Sequence, residues 1–262
     1  MIDTIRAEWV KLRTSRSTWL VPVLLFILVG IGAAQQVSIL QDPFYTDRAP
    51  TEVALAQFVS QVRGIAPAML LLLGVFAVTG EYSSGLIRTT ALAEPSRWKI
   101  VASKILVAGL FAVVMTGIAM LVGVVVGWLL LPDTVTSTPL TNDDYGLRLL
   151  VLTPVDTFLM VAVAVGLAFV LKRAAGVIVL LVLWLLLAES IIPTLPKVGE
   201  TLAPWRPATV FDAYVRQNAG FDVFGGIADW AFGWAGLAYP MLWVVAIVAL
   251  GIFVFSRRDV RP

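Results

Sequence analysis

Gly80-Glu81-Tyr82-Ser83-Ser84-Gly85-Leu86-Ile87-Arg88-Thr89-Thr90-Ala91-Leu92-Ala93-Glu94-Pro95-Ser96-Arg97-Trp98-Lys99 is a polar stretch set between two long apolar runs. Its pattern predicts a short helix: Ser83 or Ser84 caps it, and Gly85, Leu86, Ile87 and Arg88 fill its first turns. Pro95 breaks it, and Ser96 caps the next apolar segment. A membrane chain that only conducts a solute needs no such element. One driven by a separate motor needs a docking element at its inner face.

The composition puts the flanking runs in lipid. Hydrophobic residues make up 59% of the 262 and charged residues 14%, with a mean hydropathy of +0.91, whereas soluble domains carry about 45–50% and 25%. The chain has no Cys and no His. Thiol chemistry, disulfides, histidine metal ligands and imidazole catalysis are therefore excluded, and no catalytic or metal site is expected.

A lipid-facing helix needs roughly 20 apolar residues to satisfy its backbone across about 30 Å of hydrocarbon. Six segments qualify: residues 19–34, 63–79, 97–131, 154–171, 174–193 and 237–255. The expected fold is an all-α polytopic membrane protein, a single transmembrane domain over residues 1–262. There is no internal repeat, low-complexity tract or soluble domain.

Positive residues near span ends set orientation. With the N-terminus inside, the inner segments hold Arg6, Lys11, Arg13, Arg16, Arg88, Arg97, Lys99, Lys104, Lys172, Arg173, Arg257, Arg258 and Arg261. The outer ones hold only Arg48, Arg63, Arg148, Lys197, Arg206 and Arg216, together with most of the acidic residues. Both termini are thus expected to be cytoplasmic, and nothing in the charge pattern suggests nucleic acid as a partner.

Residues 1–16 precede the first span. Ile2, Ile5, Trp9 and Leu12 recur at three- and four-residue spacing, while Asp3, Arg6, Glu8, Lys11 and Arg13 fill the other face. This is the pattern of an amphipathic helix lying in the inner headgroup layer, with Arg13 among the cations toward anionic lipid. It argues against a secretory signal, and a solvated extension of the first span is the plainer alternative.

The outer segment 194–236 is too long to be structureless. It holds Trp205, Phe211, Tyr214, Phe221, Phe224, Trp230, Phe232 and Trp234, so short interfacial helices are expected before the sixth span. On the inner side only Lys172 and Arg173 join the fourth and fifth spans, a tight hairpin with little surface. By contrast, a helix over residues 97–131 is roughly 52 Å long and outruns the hydrocarbon. Its first turns form a stalk beside the polar segment, a lever for transmitting force.

Glu81-Tyr82-Ser83-Ser84-Gly85-Leu86-Ile87-Arg88-Thr89-Thr90, followed by Ala91-Leu92-Ala93-Glu94-Pro95-Ser96-Arg97-Trp98, resembles the cytosolic loop of bacterial ABC exporter permeases of the second type. There an acidic residue ends the second span, and Ser-Gly, an apolar pair and Arg-Thr follow. Residues 6–19 are similar to that family's opening interface helix, and the six-span layout covers the chain. The resemblance implies a dimer of permeases, identical or paralogous, in the bacterial cytoplasmic membrane, bound to two separate cytoplasmic ABC ATPase subunits. It assigns coupling to segment 81–95, with residues 85–93 as the coupling helix and residues 1–14 as the second contact.

The residues agree that the motor is elsewhere. A phosphate-cradling loop requires Gly before Lys, and none of Lys11, Lys99, Lys104, Lys172 or Lys197 has one. No cofactor is expected on this chain, and ATP and Mg are expected on the partner. Leu86 and Ile87 are expected to seat in an apolar cleft of the ATPase, with Glu81 and Arg88 fixing register. An ordinary surface helix on the inner leaflet is the alternative.

Three ionisable groups fall at membrane depth. Thr153, Pro154 and Asp156 read as a helix start, with Thr capping, Pro at the first position and Asp in the first turn. Arg63 reads as an interfacial anchor or a substrate contact. Glu189 lies about 22 Å up the fifth span and is expected to pair with Arg63 and line the outer translocation path. Ala119, Gly123 and Gly127 form a small-residue ridge for close helix approach, within the chain or in a dimer.

With no chain of carboxylates or ring of charges in the spans, a hydrophobic or amphiphilic cargo moved outward fits best. The alternatives are a secondary transporter or channel acting alone, and a membrane scaffold or sensor that moves nothing.

Overall fold

Apolar runs that must satisfy their own backbone in lipid form helices, and the computed structural model has six helices long and apolar enough to cross a membrane. It describes residues 1–40, 52–133, 135–140, 144–217 and 227–257. The expected sites at Arg48, Phe221, Phe224, Arg258 and Arg261 lie outside these. The spans are α2 (Arg16–Leu40), α3 (Ala56–Ser84), α5 (Arg97–Leu130), α6 (Asp144–Leu171), α7 (Ala174–Thr194) and α10 (Trp234–Arg257). Between and before them lie α1 (Ile2–Thr14), α4 (Ile87–Ala93), α8 (Val198–Leu202) and α9 (Pro207–Arg216). Two short strands, β1 (Glu52–Ala54) and β2 (Thr136–Thr138), pair in parallel.

Most spans overrun their apolar windows, because adding residues to an existing helix is easy once it is nucleated. The largest correction is at α6. Pro154 is not its first residue but lies inside it, ten residues after Asp144. A proline there removes a single amide donor, which an otherwise supported helix tolerates. Asp156 is therefore no first-turn acid.

The chain divides into two compact units, and α3, α5 and α6 each run from one into the other. One unit comprises Arg6–Leu73 and Val107–Val161. Its core gathers Ala33, Val37, Val53 and Phe58, with Leu40, Val126 and Val135 packed around them. The ridge on α5 packs inside it. A Cβ at Gly123 would stand 3.0 Å from the Phe58 carbonyl oxygen, and one at Gly127 would stand 2.6 Å from the Phe58 ring. Two hydroxyls add a polar tie, Thr116 Oγ1 lying 3.1 Å from Thr157 Oγ1 between α5 and α6.

The other unit comprises Met1–Ile5, Gly74–Leu106 and Ala162–Pro262. Here α6 and α10 meet backbone to backbone, since a Cβ at Gly251 would lie 2.7 Å from the Gly166 carbonyl oxygen. Phe169 stacks 4.7 Å from Phe255, and Arg97 lies 4.8 Å over the Phe255 ring. The expected short helices in segment 194–236 are α8, α9 and two 3-10 turns, Ala203–Trp205 and Asp229–Phe232. Their aromatics pack on each other: Trp205, Trp230 and Tyr239 lie 5.5–5.8 Å apart, and the Tyr239 hydroxyl donates to the Trp205 carbonyl at 2.6 Å.

Candidate functional site

The chain leaves α3 through two serines that turn back on it. Ser83 and Ser84 donate to the Gly80 carbonyl at 3.0 and 2.8 Å, so neither caps α4 as expected. A hydroxyl at a helix end finds the carbonyl one turn behind it before it reaches an amide ahead. Gly85 then takes φ +73°. Nothing crowds it, so the left-handed torsion alone calls for glycine there. The Leu86 carbonyl accepts from Thr89 Oγ1 at 2.7 Å and Thr90 Oγ1 at 3.1 Å, closing the first turn of α4. Glu94 turns extended after the last residue, and Pro95 follows. The Glu94 carboxylate accepts the Ser96 N–H at 3.2 Å and lies 3.5 Å from Lys99 Nζ. That amide and the Lys99 charge hold its pKa below the usual carboxylate range, against partial desolvation.

Ile87 turns into the protein, 4% exposed, while Leu86 is 51% and Leu92 84% exposed. Neighbours on a helix point about 100° apart, so burying Ile87 leaves Leu86 outside. This corrects the expected docking pair. The outward face of α4 carries Leu86, Thr89, Leu92 and Ala93, with Arg88 on its flank.

Glu81 is not on that face either. It lies on α3, buried, with Oε1 2.7 Å from Lys104 Nζ, and Lys104 also donates to the Ala77 carbonyl at 3.0 Å. The last turns of α3 are thus tied to the first turns of α5, bracketing α4. The positive-residue pattern gives Lys104 only as an inner cation. Its distance from the chain's polar ends was the available signal. Tyr82 faces the other way, 6.3 Å from Phe169 and 5.4 Å beneath Lys172 Nζ.

Arg63 and Glu189, expected to pair, each engage a partner within their own unit. Arg63 Nη1 lies 3.5 Å from Asp156 Oδ2, joining α3 to α6, both side chains largely buried. Glu189 is 8% exposed and serves α9. The first residue of α9, Pro207, has no N–H, and the next two amides, of Ala208 and Thr209, donate to Glu189 Oε1 and Oε2 at 3.2 Å each. Thr209 Oγ1 adds a third bond at 2.7 Å. An anion at a helix N-terminus is favoured by both free amides and macrodipole. Arg206, 1% exposed, locks the same corner by donating to the Glu189 carbonyl at 2.7 Å and the Ala203 carbonyl at 2.9 Å. Just before Glu189, α7 widens into a π segment, Leu183–Ala188. Neither this segment nor the burial of Arg206 was foreseen.

On α1, Ile5 is half-buried and Leu12 buried, while Trp9 and Arg13 are exposed. Glu8, expected on the solvent face, is 5% exposed and bonds to Lys11 at 2.7 Å. Trp9 and Trp19 both meet Phe111 edge-on, at 6.3 and 5.5 Å, and Trp19 Nε1 donates to the Arg13 carbonyl at 3.1 Å. The helix is thereby stitched to the start of α2.

No curated protein matches the chain. The family model described as ABC-2 family transporter protein matches residues 4–260, which takes in α4 and every span. The chain belongs to that family, the membrane permeases of ABC transporters.

Proposed function

We propose that this permease is the membrane half of an ATP-driven exporter that moves a hydrophobic or amphiphilic substrate outward. One observation carries the reading: α4 lies between α3 and α5, shows Leu86, Thr89 and Leu92 outward with Ile87 buried, and is bracketed by the buried Glu81–Lys104 pair that ties those two spans to each other. A helix held this way cannot shift without moving α5, which at 34 residues is about 51 Å long. Family membership implies an ABC ATPase partner, and α4 is where we place its grip, with α1 as the second contact. ATP and Mg belong to that partner. On this reading the ends of α1 and α10 near the termini are cytoplasmic, and the membrane is the bacterial cytoplasmic one.

Two copies of the permease with two ATPases fit the surface. The most apolar windows of α2, α7 and α10 are only 22%, 17% and 11% buried, against 61% for α3, leaving α2 and α7 available to face a second permease. The cargo assignment rests on where the buried charges go. Arg63 is engaged by Asp156 and Glu189 by α9, so among the described residues these two contribute to the path by shaping it. Glu189 holds its outer end.

The test is reconstitution with the ATPase. Leu92→Asp and Arg88→Glu are each expected to lower ATP-dependent efflux about tenfold or more, since a charge in a desolvated contact costs at least about 1.4 kcal/mol. Permease levels should hold. Unchanged efflux in both variants, or transport by the permease alone on an ion gradient, would overturn the proposal.

A further inference from the structure

A pocket of about 660 Å³ opens where the last turns of α3 face the turn between α6 and α7. Phe76, Thr79, Tyr82 and Ser83 line one side, and Lys172, Arg173, Ala174 and Ala175 the other. The two-residue turn, expected to be a tight hairpin with little surface, lines this pocket. It does so because Lys172 takes φ +62°, which ends α6 abruptly and sets both cations at the pocket.

Lys172 is half-buried and Arg173 exposed, unlike the buried cations of the protein. Arg63 and Lys104 are matched by carboxylates, and Arg206 by carbonyls. Among the described residues, neither Lys172 nor Arg173 has a carboxylate partner, and Lys172 Nζ rests only over the Tyr82 ring at 5.4 Å. Arg173 stands at the N-cap of α7 with no side-chain cap bond, and Ala174 and Ala175, whose amides open that helix and have no partner within it, line the same pocket.

The remaining wall is apolar. Phe76 is 37% exposed, and beyond Ala175 the helix shows Val179, Leu180 and Leu183. Two cations and free amides call for an anion, and an apolar wall running on along two spanning helices calls for acyl chains. We infer that this pocket holds the phosphate headgroup of an anionic phospholipid, with its chains lying along α7. The site depends on the proposed orientation only for which leaflet supplies the lipid.

Binding to the full-length permease in detergent tests it without the ATPase, so failure of the export reading leaves this result standing. Native mass spectrometry with phosphatidylglycerol and phosphatidylcholine should show a preference for the anionic lipid of about tenfold or more, as two cations at a membrane surface supply. Lys172→Gln with Arg173→Gln should reduce that preference to within about twofold. The charge-preserving swap Lys172→Arg with Arg173→Lys should keep it, as should Lys197→Gln, an exposed cation beyond the far end of α7. If the double variant fails to fold, Arg173→Gln alone, at an exposed position, should still weaken binding about threefold or more. Equal binding of the two lipids, a preference that survives loss of both cations, or displacement by inorganic phosphate at the lipid's own concentration would overturn the inference.

Discussion

Lys104→Ala is expected to destabilise the permease by roughly 3–5 kcal/mol, the usual cost of removing one member of a buried ion pair. The side chain is 1% exposed, and its ammonium serves two acceptors at once, Glu81 Oε1 at 2.7 Å and the Ala77 carbonyl at 3.0 Å. Its loss keeps the Glu81 carboxylate away from water without the cation that matched it. Glu81→Gln should cost less, because an amide retains an acceptor for the ammonium. In the double replacement Lys104→Met with Glu81→Met the charges leave together, and most of the loss should be recovered. Thermal unfolding in detergent reads all three. The functional consequence is separate: the double variant is expected to fold and still transport poorly, because the ends of α3 and α5 that bracket α4 are then no longer tied to each other. Full transport in the double variant would mean that the pair holds the fold together and plays no part in coupling.

Glu189→Ala is expected to release the start of α9. The carboxylate takes two amides and a hydroxyl, so roughly 1–3 kcal/mol of local stability goes with it. Hydrogen exchange should show the Ala208 and Thr209 amides exchanging about ten- to a hundredfold faster, with α3 and α5 unchanged. Glu189→Gln keeps an acceptor and loses the charge, so a smaller change of about 1 kcal/mol or less is expected, the part owed to the macrodipole. Arg206→Met removes the other fastening of the corner, the bond to the Glu189 carbonyl, and should free the end of α7 even where the carboxylate stays. Glu189→Gln that leaves both folding and transport untouched would remove Glu189 from the outer path.

The sequence made legible what depends on local pattern. Hydropathy placed six spans, the spacing of Ile5 and Leu12 placed α1, and Pro95 marked the end of the polar segment. The aromatic content of segment 194–236 also read correctly as short helices, whereas Gly85, expected in the first turn of the polar segment's helix, lies in the left-handed turn before it, and the helix starts at Ile87. What stayed hidden depends on which element faces which. Glu81, Arg63, Asp156 and Glu189 are all visible as charges in apolar surroundings, yet their partners are 19 to 93 positions away in the sequence or sit on a neighbouring helix's backbone. Helical phase decided the rest. Whether Leu86 or Ile87 faces out turns on about 100° of rotation, and no composition rule fixes that angle. The start of α6 was misplaced because Pro154 looks the same at a first turn and inside a supported helix.

Because the chain contains no Cys, a single introduced thiol reports without background, and Leu92→Cys puts one on the outward face of α4, where Leu92 is 84% exposed. In the intact complex that thiol is expected to cross-link to the ATPase and to resist a soluble maleimide, while Ile87→Cys, buried in the permease, gives no cross-link. Free labelling of Leu92→Cys in the ATP-cycling complex, or labelling from the outer face of sealed cells, would contradict the account.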